Sequence, residues 1–530
     1  FDFSFPNRVA SSPVKIRFYV AAISESDSSF SLTLNGVNAA TLPVQEITES
    51  LLARENTYDS FRFSNPGAVV AGDDITATVN FDNMGNPSAQ GYLDFIALSA
   101  ERNLEYVDGQ LPFHKDDIDQ QSGVASYTIS NATAVQEVWE VTDFQNITYV
   151  ENTDAAALFS FRSNLGTDRR FVALGASGFL SPQRINGNAK IANQNLKGEI
   201  FESVDGTQAV DYIIVSPDFL MSQAERLAQH NREYRKLNVK VVSLEDIYAE
   251  FSTGRKDIGA IRNFVNYVYS NGSGGSRLKY LCLFGDTSID YKDRLGGNNN
   301  IVPTFNTYDS FAQTTSYMSD DFFGSMDPGE GVIENNSPAG SGGSDKLDIA
   351  VGRILADTPQ LASIVVDKII NYDAKASYGR WHNNFVLVSD DVDADWEFRE
   401  LESTLDALGD EIQVQKPFIN VIKIHSDSYQ QQTSAGGERY PEVNDAIADA
   451  LEAGALVMNY LGHGGEDNLA SEVIFTRENA QNLKNGERLP VIITVTCEFT
   501  RFDNPTHSAA GEELFWNADG GAVGLVATTR

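Results

Sequence analysis

Cysteine is scarce in this sequence. It has two in 530 residues, Cys282 and Cys497, too few for a disulfide scaffold. Long apolar runs are missing as well: no stretch of about 18 apolar residues occurs, so no segment reads as a transmembrane helix. Basic residues are in deficit, with 39 Lys and Arg against 74 Asp and Glu, a net charge of −35. A nucleic-acid binder presents a basic face, and docking on anionic lipid needs clustered cations; the balance argues against both. It fits a soluble protein, or one that recruits cations such as calcium. Phosphate-binding motifs are absent. No G-x-x-x-x-G-K-[ST] loop occurs, and the Gly-rich GSGGSD lacks the strand and helix that would make it a cradle. The GASG at 175–178 is not the G-x-S-x-G of a serine hydrolase. The sequence opens on Phe1 with no leader, and 521–529 reads as a buried strand just before the end. Both are read as processing points or edges of a longer chain.

What is present suffices for several cores. The sequence is 42% hydrophobic and 10% aromatic, and its length suggests three or four domains. The first 200 or so residues carry short alternating runs, such as VKIRFYVA at 14–21, FSLTL at 30–34, ITATVNF at 75–81, YLDFIA at 92–97 and EVWEV at 137–141. Gly, Asn, Pro and Asp clusters separate them, the pattern of sandwiches and jelly rolls. We place one β-sandwich-like domain at 1–108 and a β-rich one at 109–205.

From about residue 211 apolar strands alternate with helix-periodic stretches, which predicts a mostly parallel sheet covered on both faces. Two such sets follow in tandem, at 206–378 and 379–530. In the first, a helix over about 222–237 is expected to bury Leu227, Asn231, Tyr234 and Leu237. Asp257 is placed to cap a second helix, and Thr358 with Pro359 to start a third. A Gly-, Asn- and Ser-rich loop region is expected over about 293–345. In the second set, the helix after FVLVSDD carries Phe398, Leu401, Leu405 and Leu408.

Ligands of open α/β sheets bind outside the carboxyl ends of the strands. Three strands of the second set end in reactive residues: Asp390–Asp391, Gly462–His463–Gly464 and Thr496–Cys497–Glu498. If they are neighbours, a thiol, an imidazole and a carboxylate converge, which is the equipment of a cysteine nucleophile. An adjacent imidazolium raises the thiolate fraction. The amides of Cys497 and of a residue beside His463 can meet an oxyanion, and Gly464 admits a carbonyl closely. Asp391 is positioned to fix the imidazole tautomer. A cysteine after an apolar strand is more often packing than catalysis, but a histidine between glycines has no core to join.

The stretches NYLGHGGEDNLASE, LPVIITVTCEFTRFDNP and GGAVGLVATTR resemble the catalytic region of the gingipain-type cysteine peptidases, which have a caspase-like fold. LDIAVGRILADTPQLASIVVDKIINYD resembles the segment between that family's two catalytic subdomains. The resemblance spans about 205–530 and implies Cys497 as nucleophile, His463 as general base and Gly464 with Cys497 as oxyanion amides. It implies Asp391 as the third member, with Asp390 its rival; QQQTSAGGERY reads as an insertion before the histidine. The implied fold is an all-β N-terminal half followed by an α/β caspase-like domain of two subdomains, cut short at its C-terminal end.

NQNLKGEIFES, SDDFFGSMD and TCEFTRFDNP are similar to the family's type IX secretion sortases. That implies secreted cargo cut before its C-terminal sorting domain, transfer of the cargo to an amine of anionic lipopolysaccharide, a PorV-type outer-membrane barrel as partner, and residence on the outer face of the bacterial outer membrane. The alternatives are a secreted general peptidase of the same family and a non-catalytic β-rich surface adhesin. No cofactor is required, though family members bind calcium. Asp320, Asp321 and Asp327 are candidate ligands of a structural calcium ion. Asp391, Asp393, Asp395 and Glu402 have EF-loop spacing, but Trp396 stands where such a loop needs glycine.

Overall fold

The computed structural model describes residues 1–48, 53–60, 67–116, 118–183, 193–202, 209–272, 278–297, 299–307, 316–327, 330, 346–434 and 437–529. Much of the loop region expected over 293–345, and Arg530, lie outside them. The chain divides into two compact units, 1–191 and 192–530.

The first unit is all-β. Its N-terminal part sets a four-stranded sheet (Asp2–Ser4, Asp74–Asp82, Ser28–Leu34, Val37–Val44) beside a three-stranded one (Arg54–Asp59, Lys15–Ile23, Gln90–Ser99). The period-two pattern decides which side chains enter the core: Ile16, Phe18, Val20 and Ala22 are all buried. Strands Gln110–His114, Val124–Ser130, Val135–Glu140, Leu158–Asn164 and Arg170–Gly175 surround a second core that includes Phe113, Phe161 and Phe171.

The second unit is α/β. Its first sheet contains β1 (Tyr212–Ser216), β2 (Val239–Ser243), β3 (Tyr280–Phe284) and β4 (Ala350–Ile354), parallel and ordered β2-β1-β3-β4. Against it pack α1 (Met221–Tyr234), α2 (Leu244–Phe251) and α3 (Ile258–Asn271). The linking helix α4 (Pro359–Tyr372) follows. Asp257 accepts the Gly259 N–H and Thr358 the Leu361 N–H, so both expected caps form. Two expectations shift. α1 stops at Tyr234, which is half-exposed, so the apolar stripe ends a turn early. α2 lies where no helix is expected before Asp257; Ser243 caps it. Ile200 already belongs to this unit's core, ahead of the boundary placed at 205.

The second sheet contains β5 (Asn384–Ser389), β6 (Asn420–His425), β7 (Val457–Leu461), β8 (Val491–Val495) and β9 (Gly524–Ala527), all parallel and ordered β6-β5-β7-β8-β9. Helices α5 (Ser403–Gln415), α6 (Pro441–Ala453), α7 (Arg477–Asn482) and α8 (Ala510–Trp516) connect its strands. Leu401 and Leu405 are buried as expected, whereas Phe398 is exposed. The QQQTSAGGERY insertion contributes two short antiparallel strands, Gln432–Ser434 and Gly437–Arg439.

One buried cation ties α4 to the second sheet's helices. Lys368 Nζ donates to the carbonyls of Leu514, Phe515 and Asn517 at 3.3, 2.9 and 3.2 Å, at the C-terminal end of α8, where helix carbonyls lack intrahelical donors. Replacing Lys368 by Met leaves three carbonyls without that donor. The expected result is a loss of about 2 kcal/mol or more, read as a lower denaturant midpoint at unchanged slope.

Candidate active site

The strand order of the second sheet reverses between β5 and β7, and a crevice opens outside the carboxyl ends at such a switch point. β5 runs into Asp390, β7 into His463 and β8 into Cys497. β7 and β8 pair in parallel with Leu461 opposite Val495. Two residues on along each chain, His463 and Cys497 therefore emerge at the same level of neighbouring strands. Both are exposed, and the Cys497 thiol is unpaired. Cys282, by contrast, is buried in β3, where burial pushes its thiol up to about 12. It is core packing.

The imidazole is oriented from behind. Asp390 Oδ2 accepts from His463 Nδ1 at 3.0 Å and from the His463 backbone N–H at 2.8 Å. Nδ1 thus carries the proton, and Nε2 is left to receive one. Tyr460, fully buried, donates its hydroxyl to the His463 carbonyl at 2.6 Å. Gly462 permits this approach, because a Cβ there would stand 2.5 Å from the Asp390 Cβ and 2.6 Å from the Tyr460 hydroxyl.

The third-member assignment is corrected by this geometry. Asp391 is not the partner of His463. Its carboxylate lies 3.4 Å from the Tyr440 hydroxyl and beside Glu472. Consecutive residues leaving a strand point to opposite sides, so only one of the two aspartates can face the histidine. Asp390, the rival, is that one.

The oxyanion candidates are adjacent. A Cβ at Gly464 would stand 2.6 Å from Thr496 Oγ1, so only glycine lets the histidine loop lie against the cysteine loop. Among the described residues neither the Gly464 nor the Cys497 N–H donates to another group. Past the cysteine the chain turns sharply. Glu498 adopts a φ of +53°, and the Phe499 N–H reaches the Cys497 carbonyl at 2.6 Å. A left-handed conformation in a non-glycine residue is costly and persists only where its surroundings hold it.

The carboxylates behind the imidazole are buried together. Oxygens of Asp390, Asp391 and Glu472 lie within 4.8 Å of one another. Burial raises the Asp390 carboxyl above its ordinary value, the two bonds from His463 oppose that, and the Asp391 charge adds to it. Burial, reinforced by Asp391, pushes Glu472 up to about 7.

The calcium candidates do not share a site. Asp320 forms a two-pronged ion pair with Arg353 at 2.7 and 2.8 Å and accepts from the Thr304 hydroxyl at 2.7 Å. A buried guanidinium already occupies the place of a cation. Asp321 is the second residue of the short turn Asp320–Phe323, its N–H donated to the Ser319 hydroxyl at 3.2 Å. Asp327 groups with Glu330 and Asp348, apart from both. The Asp391–Glu402 segment is no EF loop, since its backbone is helical from Asp395 onward.

Sequence reading named Gly462 and Thr496 only as neighbours of His463 and Cys497, and did not single out Tyr460 or Glu397. Gly462 was legible as half of a Gly-His-Gly motif. Glu397 was hidden in an acidic run.

The family model described as Peptidase family C25 matches residues 205–530. Among solved structures, the chain is similar to dimeric latent PorU from Porphyromonas gingivalis, with 23% identity and a TM-score of 0.57, over 72% of this chain and 36% of that one. It also matches the complex of Porphyromonas gingivalis RgpB pro- and mature domains, at 19% identity and a TM-score of 0.44, over 60% of this chain and 64% of that one. The chain therefore spans about a third of the PorU chain. Comparison with curated proteins gives no match.

Two predictions follow from the site. Asp390→Asn keeps the shape but favours the wrong imidazole tautomer, and should lower kcat/KM by about 10³-fold or more; Asp391→Asn should cost far less in the same peptide-cleavage assay. Glu472 has a raised folded-state pKa, so the folded state binds more protons than the unfolded one between its ordinary value of 4.5 and about 7. Stability from this group is present at lower pH and is lost as pH rises through that window. Glu472→Gln should therefore raise Tm above wild type by on the order of 5 °C at pH ~8, with little change at pH ~5, by calorimetry.

Proposed function

The chain belongs to peptidase family C25, and from that membership we propose that it is a cysteine endopeptidase working as a type IX secretion sortase on the outer face of the bacterial outer membrane. The observation that carries the peptidase reading is the in-register pairing that sets an exposed thiol and an exposed imidazole side by side, with a buried carboxylate on Nδ1. His463 Nε2 takes the Cys497 proton. The thiolate attacks a peptide carbonyl, and the oxyanion is met by the Gly464 and Cys497 N–H groups. The imidazolium protonates the leaving amine, which frees the C-terminal part of the substrate and leaves a thioester.

The substrate we propose is a secreted cargo protein cut ahead of its C-terminal sorting domain, with an amine of anionic lipopolysaccharide resolving the thioester. A PorV-type barrel is the proposed partner at the membrane. The likeness in fold to PorU and the sortase-like segments around Asp321 and Cys497 support this choice over general digestion. Calcium remains a proposed structural ion.

The test incubates cargo carrying its sorting domain with wild type and with Cys497→Ala. Wild type should release the sorting domain and the variant should not, a loss of at least about 10³-fold. Equal release by both would end the peptidase reading.

A further inference from the structure

His463 meets a second carboxylate, on the opposite ring nitrogen from Asp390. Glu397, buried to 5% exposure, lies with Oε1 3.9 Å from Nε2. Its other oxygen is anchored, accepting the Asp393 and Ala394 N–H groups at 2.7 Å each. Anchoring one oxygen in backbone amides fixes where the other points. Beside it Trp396, half-exposed, stands edge-to-face with the imidazole, ring centroids 6.4 Å apart.

The position matters because Nε2 is the nitrogen that exchanges protons with the reacting groups. Whatever attacks the thioester is deprotonated at that nitrogen, within reach of Glu397. The other carboxylates near Cys497 are already satisfied: Glu466 and Glu498 pair with Arg501 at 2.8 and 3.1 Å, and Asp503 pairs with it at 3.3 Å. Among the described residues no lysine or arginine pairs with Glu397. A buried carboxylate whose ionic neighbour among the described residues is His463 alone, next to an exposed indole, suits an ammonium group: the carboxylate supplies charge-assisted hydrogen bonding and the ring a cation–π face. Water as acceptor has no need of either.

We infer that Glu397, with Trp396, binds the acceptor amine as its ammonium ion and holds it at His463 Nε2 for attack on the thioester. This rests on the transpeptidase part of the proposed function. The step balances. After acylation the imidazole is neutral. The bound ammonium gives one proton to Nε2, and the free amine forms the new C–N bond as the C–S bond breaks. The second proton passes from the nitrogen to Glu397 and then to water. Amide, thiolate and imidazolium remain, the same ion pair that forms when His463 takes the Cys497 proton at the start of the next cycle. Glu397 is thus an acceptor-binding residue, and it selects aminolysis over hydrolysis.

The experiment measures partition. Cargo with its sorting domain is incubated at neutral pH with aminoethanol, a cation there, or with hydroxylamine, which is uncharged there. Mass spectrometry counts acid and amide products. In E397Q the amide-to-acid ratio for aminoethanol should fall about tenfold, the scale of one lost ionic hydrogen bond. The ratio for hydroxylamine should move much less, and E397D should recover part of the aminoethanol product. Equal aminoethanol ratios in wild type and E397Q would overturn the inference. So would a change only in which residue is accepted before the cut, since Glu397 would then serve the donor side. Wild type that cleaves but makes no amide with either amine would end the transpeptidase reading instead. If E397Q does not fold, Trp396→Leu reads the same ratio.

Discussion

The site depends on one carboxylate. Asp390 holds His463 through two hydrogen bonds, one to the ring and one to the backbone N–H. The pair of bonds fixes both the loop and the tautomer, so that Nε2 is the nitrogen offered to the crevice. The surroundings exist to permit this: Gly462 has no Cβ to block the approach, and Tyr460 closes the loop from the sheet side. The arrangement resembles the acid–imidazole unit of other nucleophilic enzymes, where the acid orients the ring and stabilises the imidazolium without itself taking the proton.

That carboxylate is expensive to keep. Asp390, Asp391 and Glu472 are buried within a few ångströms of one another, and like charges at such distances cannot all ionise cheaply. Glu472 is pushed up to about 7, chiefly by burial and then by the Asp391 charge. Burial raises both Asp390 and Glu472 above their ordinary values, and the bonds from His463 oppose that rise at Asp390. Function and stability pull in opposite directions here, a frequent pattern at catalytic sites.

The rest of the rim is organised by parallel register. β7 and β8 bring the histidine and cysteine loops to one level, and Gly464 against Thr496 lets them touch. Arg501 pairs with three carboxylates on the cysteine side, whereas among the described residues no lysine or arginine pairs with Glu397, whose ionic neighbour is His463 itself.

The sequence by itself determined much of this. Alternating short strands marked the β half, and apolar runs alternating with helical periods marked the α/β half, because each pattern reflects which faces are buried. The reactive residues were legible because they stand where apolar runs end, and strand ends in such a sheet face the crevice. Short helices such as Leu244–Phe251 and Arg477–Asn482 were not legible, since a turn or two leaves too little periodicity to separate from loop. Tertiary structure alone decided between Asp390 and Asp391. The two are chemically identical and adjacent, and a shift of one residue sends a side chain to the other side of the chain. It also decided that Asp320 serves Arg353, and that Glu397 stands at Nε2, because both depend on contacts between segments far apart in sequence.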